Sequence, residues 1–181
     1  MVQKLKNLGA GIIGTGWVSG EYLKAFEGNP HTEVVAICSR EKVRAQEKAK
    51  EYQIKNCTAY DQLDEMLKNP ALDLVVVCTP HHLHVEQGIL CAQAGKHIVM
   101  EKPAALDYLN YRKLLDAVQK KKVKTVVSFV LRWNPLFETL KALLADNALG
   151  NLFYSEVDYF HPVGPWYSQY EWNIKREIAG N

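Results

Sequence analysis

Leu8-Gly9-Ala10-Gly11-Ile12-Ile13-Gly14-Thr15-Gly16-Trp17-Val18-Ser19-Gly20 is the stretch whose reading decides the fold. A short apolar run ends in a glycine turn, and Val18, Tyr22 and Phe26 then recur at helical spacing. The order is strand, tight turn, helix. Gly14 and Gly16 occupy the first two glycine positions of G-x-G-x-x-G, a turn that lets backbone approach a pyrophosphate and aims a helix N-terminus at its charge. Thr15, Trp17 and Val18 complete the candidate phosphate-binding turn. The third glycine position holds Ser19, with Gly20 one residue late, so a slightly looser contact between helix and strand is expected. A glycine turn alone is often only a turn. With a strand before it, a helix after it and a second strand at the right distance, dinucleotide binding is the preferred reading.

Outward from this turn, strands and helices alternate. Gly28-Asn29-Pro30 stops the first helix, and residues 33–38 read as the second strand. Ser39 is placed to cap a charged helix over residues 41–52, and a short strand near Thr58 leads into a small helix carrying Leu63, Met66 and Leu67. Residues 74–78 are continuously apolar, as a parallel strand covered on both faces should be. Val85, Ile89 and Ala92 mark the next helix, which Gly95 terminates, and residues 97–100 form another strand. Tyr111, Leu114, Leu115 and Val118 define one more helix before a sixth strand over residues 125–130. Six strands with intervening helices and right-handed crossovers make a doubly wound parallel α/β sheet, with its ligand crevice at the carboxyl ends of the strands.

Composition narrows the class. The chain has 181 residues, 48% hydrophobic and 23% charged, as in ordinary globular proteins. A net charge of +2 gives no electrostatic argument for nucleic acid or an anionic membrane. The basic run Lys120-Lys121-Lys122 follows a predicted helix, where cations suit the negative end of the dipole. Cys38, Cys57, Cys78 and Cys91 show no C-x-x-C spacing, and two of them sit in apolar runs, which fits a reduced compartment. With no apolar stretch long enough for a signal peptide or a membrane span, a cytoplasmic location is expected.

The strand ends carry the chemistry. An acidic residue after the second strand usually accepts hydrogen bonds from the adenosine ribose of NAD, whereas this chain has Ser39-Arg40. A guanidinium pairs bidentately with a ribose phosphate, Ser39 offers a hydroxyl, and Arg44 lies one helical turn from Arg40, so NADP is favoured over NAD. The alternative is a surface arginine pair, with Glu41 serving NAD. Thr79-Pro80-His81-His82-Leu83-His84 invites a metal reading, but no neighbouring Cys, Asp or Glu cluster supplies further ligands. Capping or a contact to the cofactor ribose is preferred, and no metal is expected. The next strand ends in Glu101-Lys102-Pro103, which puts a cation across the crevice from the glycine turn. Lys102 is suited to stabilise an oxyanion as hydride leaves a carbinol carbon. The competing reading makes it an ion-pair partner of Glu101 or a plain surface lysine.

At this point the chain resembles the Gfo/Idh/MocA family of NAD(P)-dependent oxidoreductases. The likeness rests on Gly11-Ile12-Ile13-Gly14-Thr15-Gly16, Thr79-Pro80 with His84, Ala94-Gly95-Lys96-His97 leading into Glu101-Lys102-Pro103, and Arg132-Trp133-Asn134-Pro135. The resemblance implies a Rossmann domain over residues 1–131, with Thr79, Pro80, His84, Glu101 and Arg132 near the cofactor and Lys102 catalytic. Residues 132–181 would be a linking helix and the first part of an incomplete α+β substrate and oligomerisation domain. It further implies hydride transfer between NAD(P) and a secondary hydroxyl of a sugar, polyol or related small molecule, with a homo-oligomer expected of the full-length protein.

Pro135 is expected to start a helix with Leu136, Leu140, Leu143 and Leu144 on its apolar face, closed by Gly150. Residues 152–160 alternate as the opening strand of the substrate domain, and the aromatic segment 161–167 either lines a sugar-binding mouth or packs beneath the sheet. In the resembled family a glycine-rich turn, an aspartate and an acid/base histidine come later, and no histidine here occupies that position. The chain is therefore expected to be an N-terminal fragment or truncated product, with slow or absent hydride transfer. A dinucleotide-binding module without catalysis is the alternative function.

Overall fold

A computed structural model describes residues 7–160 and 175–180. Six parallel strands form one sheet: β1 (Leu8–Ile13), β2 (Thr32–Cys38), β3 (Thr58–Tyr60), β4 (Leu74–Val77), β5 (His97–Met100) and β6 (Thr125–Val127), in the spatial order β3-β2-β1-β4-β5-β6. The strand order reverses between β1 and β4, which is the topological switch point of a doubly wound sheet. The helices between strands are α1 (Trp17–Glu27), α2 (Lys42–Glu51), α3 (Leu63–Leu67), α4 (His84–Gln93) and α5 (Tyr108–Lys121).

The core divides into two apolar layers, one on each sheet face. Ile12, Val34, Ile37 and Val76 pack with Leu23 of α1 and Ala45 of α2 on one face. Ile13, Val35, Val75, Val77, Ile98 and Met100 meet Met66 of α3, Cys91 and Ala92 of α4 and Leu114 of α5 on the other. Alternation of side chains along each strand assigns neighbours such as Ile12 and Ile13 to opposite layers. Full burial of an aliphatic side chain stabilises by about 1.5–3 kcal/mol, so both layers are needed to hold the sheet.

Several expected boundaries shift for identifiable reasons. Glu41, not Ser39, is the N-cap residue of α2, and no side chain caps that helix. Ser39 instead turns toward the glycine loop. β6 ends at Val127, three residues short of expectation, because β5, its one neighbour among the described residues, ends at the paired Met100, and only the Ser128 N–H still reaches back to it. A 3-10 turn over Val130–Trp133 follows. Tyr111, expected on the apolar face of α5, is 42% exposed beside the buried Leu114.

Beyond the sheet, α6 (Pro135–Ala145) starts where the proline predicts, with Asn134 as its N-cap accepting from the Leu136 amide at 2.9 Å. None of its residues is buried. Gly150 takes a positive φ of +64° after it. Residues 152–160 form no strand: a strand needs a hydrogen-bonded neighbour, and none pairs with this segment among the described residues. The aromatic segment 161–167 lies outside the described residues. A short helix, α7 (Arg176–Ala179), returns to the sheet domain, where the carbonyl of the buried Ala179 lies 3.1 Å from His81 Nδ1. No helix among the described residues is long and apolar enough to cross a membrane.

Candidate functional site

One row of residues crosses the sheet at the carboxyl ends of its strands. Tyr60 pairs with Cys38, Cys38 with Ile13, Ile13 with Val77, Val77 with Met100 and Met100 with Val127. The ladder continues one step beyond that row: Ser39 N–H donates to Tyr60, Gly14 to Cys38, Cys78 to Ile13, Glu101 to Val77 and Ser128 to Met100, all within 2.8–3.1 Å. Ser39, Gly14, Cys78 and Glu101 thus leave the sheet along a single edge, with Thr79 following Cys78. β1 and β5 lie two strand spacings apart, about 10 Å, so the glycine turn and the Glu101-Lys102 segment face one crevice.

At the switch point, Gly14 has φ +98°, and a Cβ there would lie 2.7 Å from the Cys78 carbonyl oxygen. Only glycine fits that turn. Gly16 is the N-cap of α1 and carries no side chain to occupy the helix end, and the first turn holds no acidic residue. This end suits an anionic ligand. Ser19, in the third motif position, is fully buried and donates its hydroxyl to the Gly16 carbonyl at 2.6 Å, so the helix absorbs the serine within its own first turn. Val18 packs into the core, while Trp17 is 65% exposed at the mouth.

On the β2 side, the Ser39 hydroxyl lies 3.3 Å from the Thr15 hydroxyl, which joins the end of β2 to the glycine turn. Arg40 is exposed. Arg44 pairs with Glu41 at 3.2 Å across an exposed helix turn, an arrangement that leaves Arg40 as the guanidinium outside that pair. On the β4 side, Thr79 donates its hydroxyl to Gln87 at 2.6 Å, and Pro80 is the N-cap of a 3-10 turn over His81–Leu83.

His84 is not on the crevice surface. It is fully buried, with Nδ1 2.7 Å from the Pro103 carbonyl and Nε2 2.8 Å from the Thr79 carbonyl. No ring atom is left for a ribose, and the imidazole instead ties the Thr79 turn to the Pro103 turn. Among the described residues no group of three His, Cys, Asp or Glu side chains is arranged to hold a metal.

The β5 end is the most heavily cross-linked. Tyr22, on α1, donates its hydroxyl to Glu101 Oε1 at 2.7 Å, and the Lys102 backbone N–H donates to Glu101 Oε2 at 3.1 Å. Burial, with the Glu101 carboxylate beside it, raises the Tyr22 phenol well above its ordinary range, which keeps it a proton donor. Burial likewise raises the Cys78 thiol well above its usual value, with the Glu101 charge adding to the effect. The Lys102–Pro103 peptide is cis. The Lys102 side chain is exposed, and among the described residues its ammonium has no acidic partner within salt-bridge distance. Burial lowers the basicity of His81, and the Lys102 charge acts in the same direction. Arg132 lies in the exposed 3-10 turn after β6.

Tyr22 is the participant that sequence reasoning placed only in the core. The available signal was its hydroxyl: a tyrosine on an apolar helix face needs a polar partner for its tip.

The fold and this edge define a dinucleotide-binding α/β protein of the Rossmann type. Residues 8–129 match the Gfo/Idh/MocA family, described as an oxidoreductase family with an NAD-binding Rossmann fold, and the chain belongs to that family. Relatives include trans-1,2-dihydrobenzene-1,2-diol dehydrogenase of Xenopus laevis, 29% identical over 84% of this chain and 46% of that protein. Levoglucosan dehydrogenase of Pseudarthrobacter phenanthrenivorans is 28% identical over 98% of this chain and 47% of its own length. Among solved structures, a 3-ketoreductase from Actinomadura kijaniata in complex with TDP-benzene and NADP has a TM-score of 0.71 at 25% identity, over 78% of this chain and 44% of that one. The chain spans about half the length of the curated relatives it matches.

Proposed function

We propose that this chain binds a nicotinamide dinucleotide along the row at the sheet's carboxyl edge and supplies the lysine of an oxidoreductase acting on a secondary hydroxyl of a sugar, polyol or related compound. The observation that carries the reading is the separation of charges at the β5 end. Glu101 is engaged by Tyr22 and by the Lys102 backbone N–H, which leaves the Lys102 ammonium without an acidic partner among the described residues. A structural lysine would be expected to take the neighbouring carboxylate.

The residues present fit the cofactor. The Gly14 turn admits a pyrophosphate where a Cβ would not fit, and the Gly16 end of α1 presents backbone N–H groups to its charge. Arg40 is available for a 2′-phosphate while Arg44 neutralises Glu41, which supports NADP over NAD. When bound, the nicotinamide ring supplies or accepts the hydride. Lys102 holds the substrate oxygen and stabilises the negative charge left on it as the hydroxyl proton passes to solvent water. Thr79 and Pro80 follow β4 and Arg132 follows β6 in the chain, which supports a place for them beside the cofactor. The relatives' names are consistent with small polyhydroxylated substrates in an enzyme longer than this chain. The homo-oligomer rests on the family resemblance alone.

Calorimetric titration of the 181-residue chain with NADPH and NADH in parallel tests the binding half of the proposal. Tight NADPH binding that is lost in Arg40→Ala is expected; binding of neither cofactor overturns the reading. Turnover of a polyol panel, with the chain alone and with the chain extended to the relatives' length, tests the reaction.

A further inference from the structure

Lys102 stands next to a carboxylate that it does not pair with, and the geometry accounts for this. Glu101 Oε1 accepts from the Tyr22 hydroxyl at 2.7 Å, across 79 positions of sequence, and Oε2 accepts from the Lys102 backbone N–H at 3.1 Å. Both carboxylate oxygens are thereby turned back toward the sheet edge. Tyr22 reaches this point because Val18, Tyr22 and Phe26 share the face of α1 that packs on the core, so its ring is fixed while its hydroxyl projects to the β5 end. A phenol held well above its ordinary ionisation range stays a donor under all working conditions. Behind Lys102, the Pro103 carbonyl is bound by His84 at 2.7 Å, which fixes the other side of the same turn.

We propose that Tyr22 is a positioning residue that holds the Glu101 carboxylate away from the Lys102 ammonium and so keeps that cation free for a ligand oxygen. The inference rests on the reading of Lys102 as the active-site lysine and deepens it. Without the Tyr22 hydroxyl, Oε1 loses its donor, and Lys102, the next residue in the chain, carries a cation able to replace it. An ion-paired ammonium holds its proton more tightly and reacts more slowly as a nucleophile. The consequence is measurable without cofactor or substrate.

The test is amine acylation of the full chain with an N-hydroxysuccinimide ester, read lysine by lysine by mass spectrometry, with Lys24 and Lys68 as internal references. In Tyr22→Phe the relative labelling rate of Lys102 should fall about tenfold, the equivalent of one pH unit of proton affinity. Tyr22→Phe combined with Glu101→Gln should restore it to within twofold of the unsubstituted chain, a rescue that mere loosening of the fold would not give. Glu101→Gln alone leaves the core-facing ring untouched and should change the Lys102 rate less than twofold, because Tyr22 already holds that charge aside. A Lys102 rate in Tyr22→Phe within twofold of the unsubstituted chain overturns the proposal, and so does a severalfold rise in Glu101→Gln alone. Failure of the catalytic reading appears separately, as turnover that survives Lys102→Ala.

Discussion

The two ends of the crevice are built differently. At the end of β2, the residues proposed to meet the cofactor are held by one hydroxyl contact of 3.3 Å and one exposed ion pair, and Arg40 is exposed. At the end of β5, three bonds of 2.7–3.1 Å bracket Lys102 on both sides, drawing on α1 and α4. The difference follows from what each end is proposed to do. Attraction of a guanidinium to a phosphate is broad in angle and distance, so a flexible arginine performs it adequately. Stabilising charge as it develops on a reacting oxygen requires the cation to be in place beforehand, because reorganisation during the reaction would consume the gain.

Substitutions can break that contrast, and the largest effect is expected at the rigid end. In the chain extended to the relatives' length, Lys102→Ala should lower turnover by about 100- to 1,000-fold while NADPH affinity by calorimetry changes little. His84→Phe should come next. It strands the Thr79 and Pro103 carbonyls in the interior, and urea unfolding followed by circular dichroism should show a loss of about 2–4 kcal/mol. At the looser end, Arg40→Ala should weaken NADPH binding by about tenfold to a hundredfold and leave NADH nearly unaffected. Equal losses for both cofactors would move Arg40 out of the phosphate-binding role.

The smallest effect is a pH dependence. Burial holds the His81 basicity below its unfolded value, so the folded state binds fewer protons across that interval. The stability from this group is complete above an unfolded pKa of about 6.5 and is lost as the pH falls toward the folded value. The slope of urea midpoint against pH between about 5 and 7 should therefore flatten in His81→Gln.

Much of the architecture was legible because it rests on local signals. The glycine turn, the apolar run of β4, Gly95 at φ +73° after α4 and Pro135 at the start of α6 each act within a few residues of themselves. What was not legible depends on partners far apart in sequence. Ser39 reads as a helix cap until Thr15 is seen beside it, and β6 reads as six residues until Met100 is seen to end its ladder. His84 illustrates the limit on the site itself. Its spacing from Thr79-Pro80 suggested a ligand contact, and only the placement of the Pro103 carbonyl, 19 positions away, reveals that the ring faces inward. Glu101 and Lys102 were both visible as residues, but the charge between them was not, since a tyrosine 79 positions earlier decides it.

The exposed face of α6 has a practical consequence for measurement. Leu136, Leu140, Leu143 and Leu144 are each at least 41% accessible, and Phe153 and Phe160 beyond them exceed 90%. A folded protein presenting so much apolar surface will take up solvatochromic dyes before any heat is applied. Melting curves read by dye fluorescence should start bright and show a shallow rise, whereas circular dichroism will report the cooperative loss of the sheet domain.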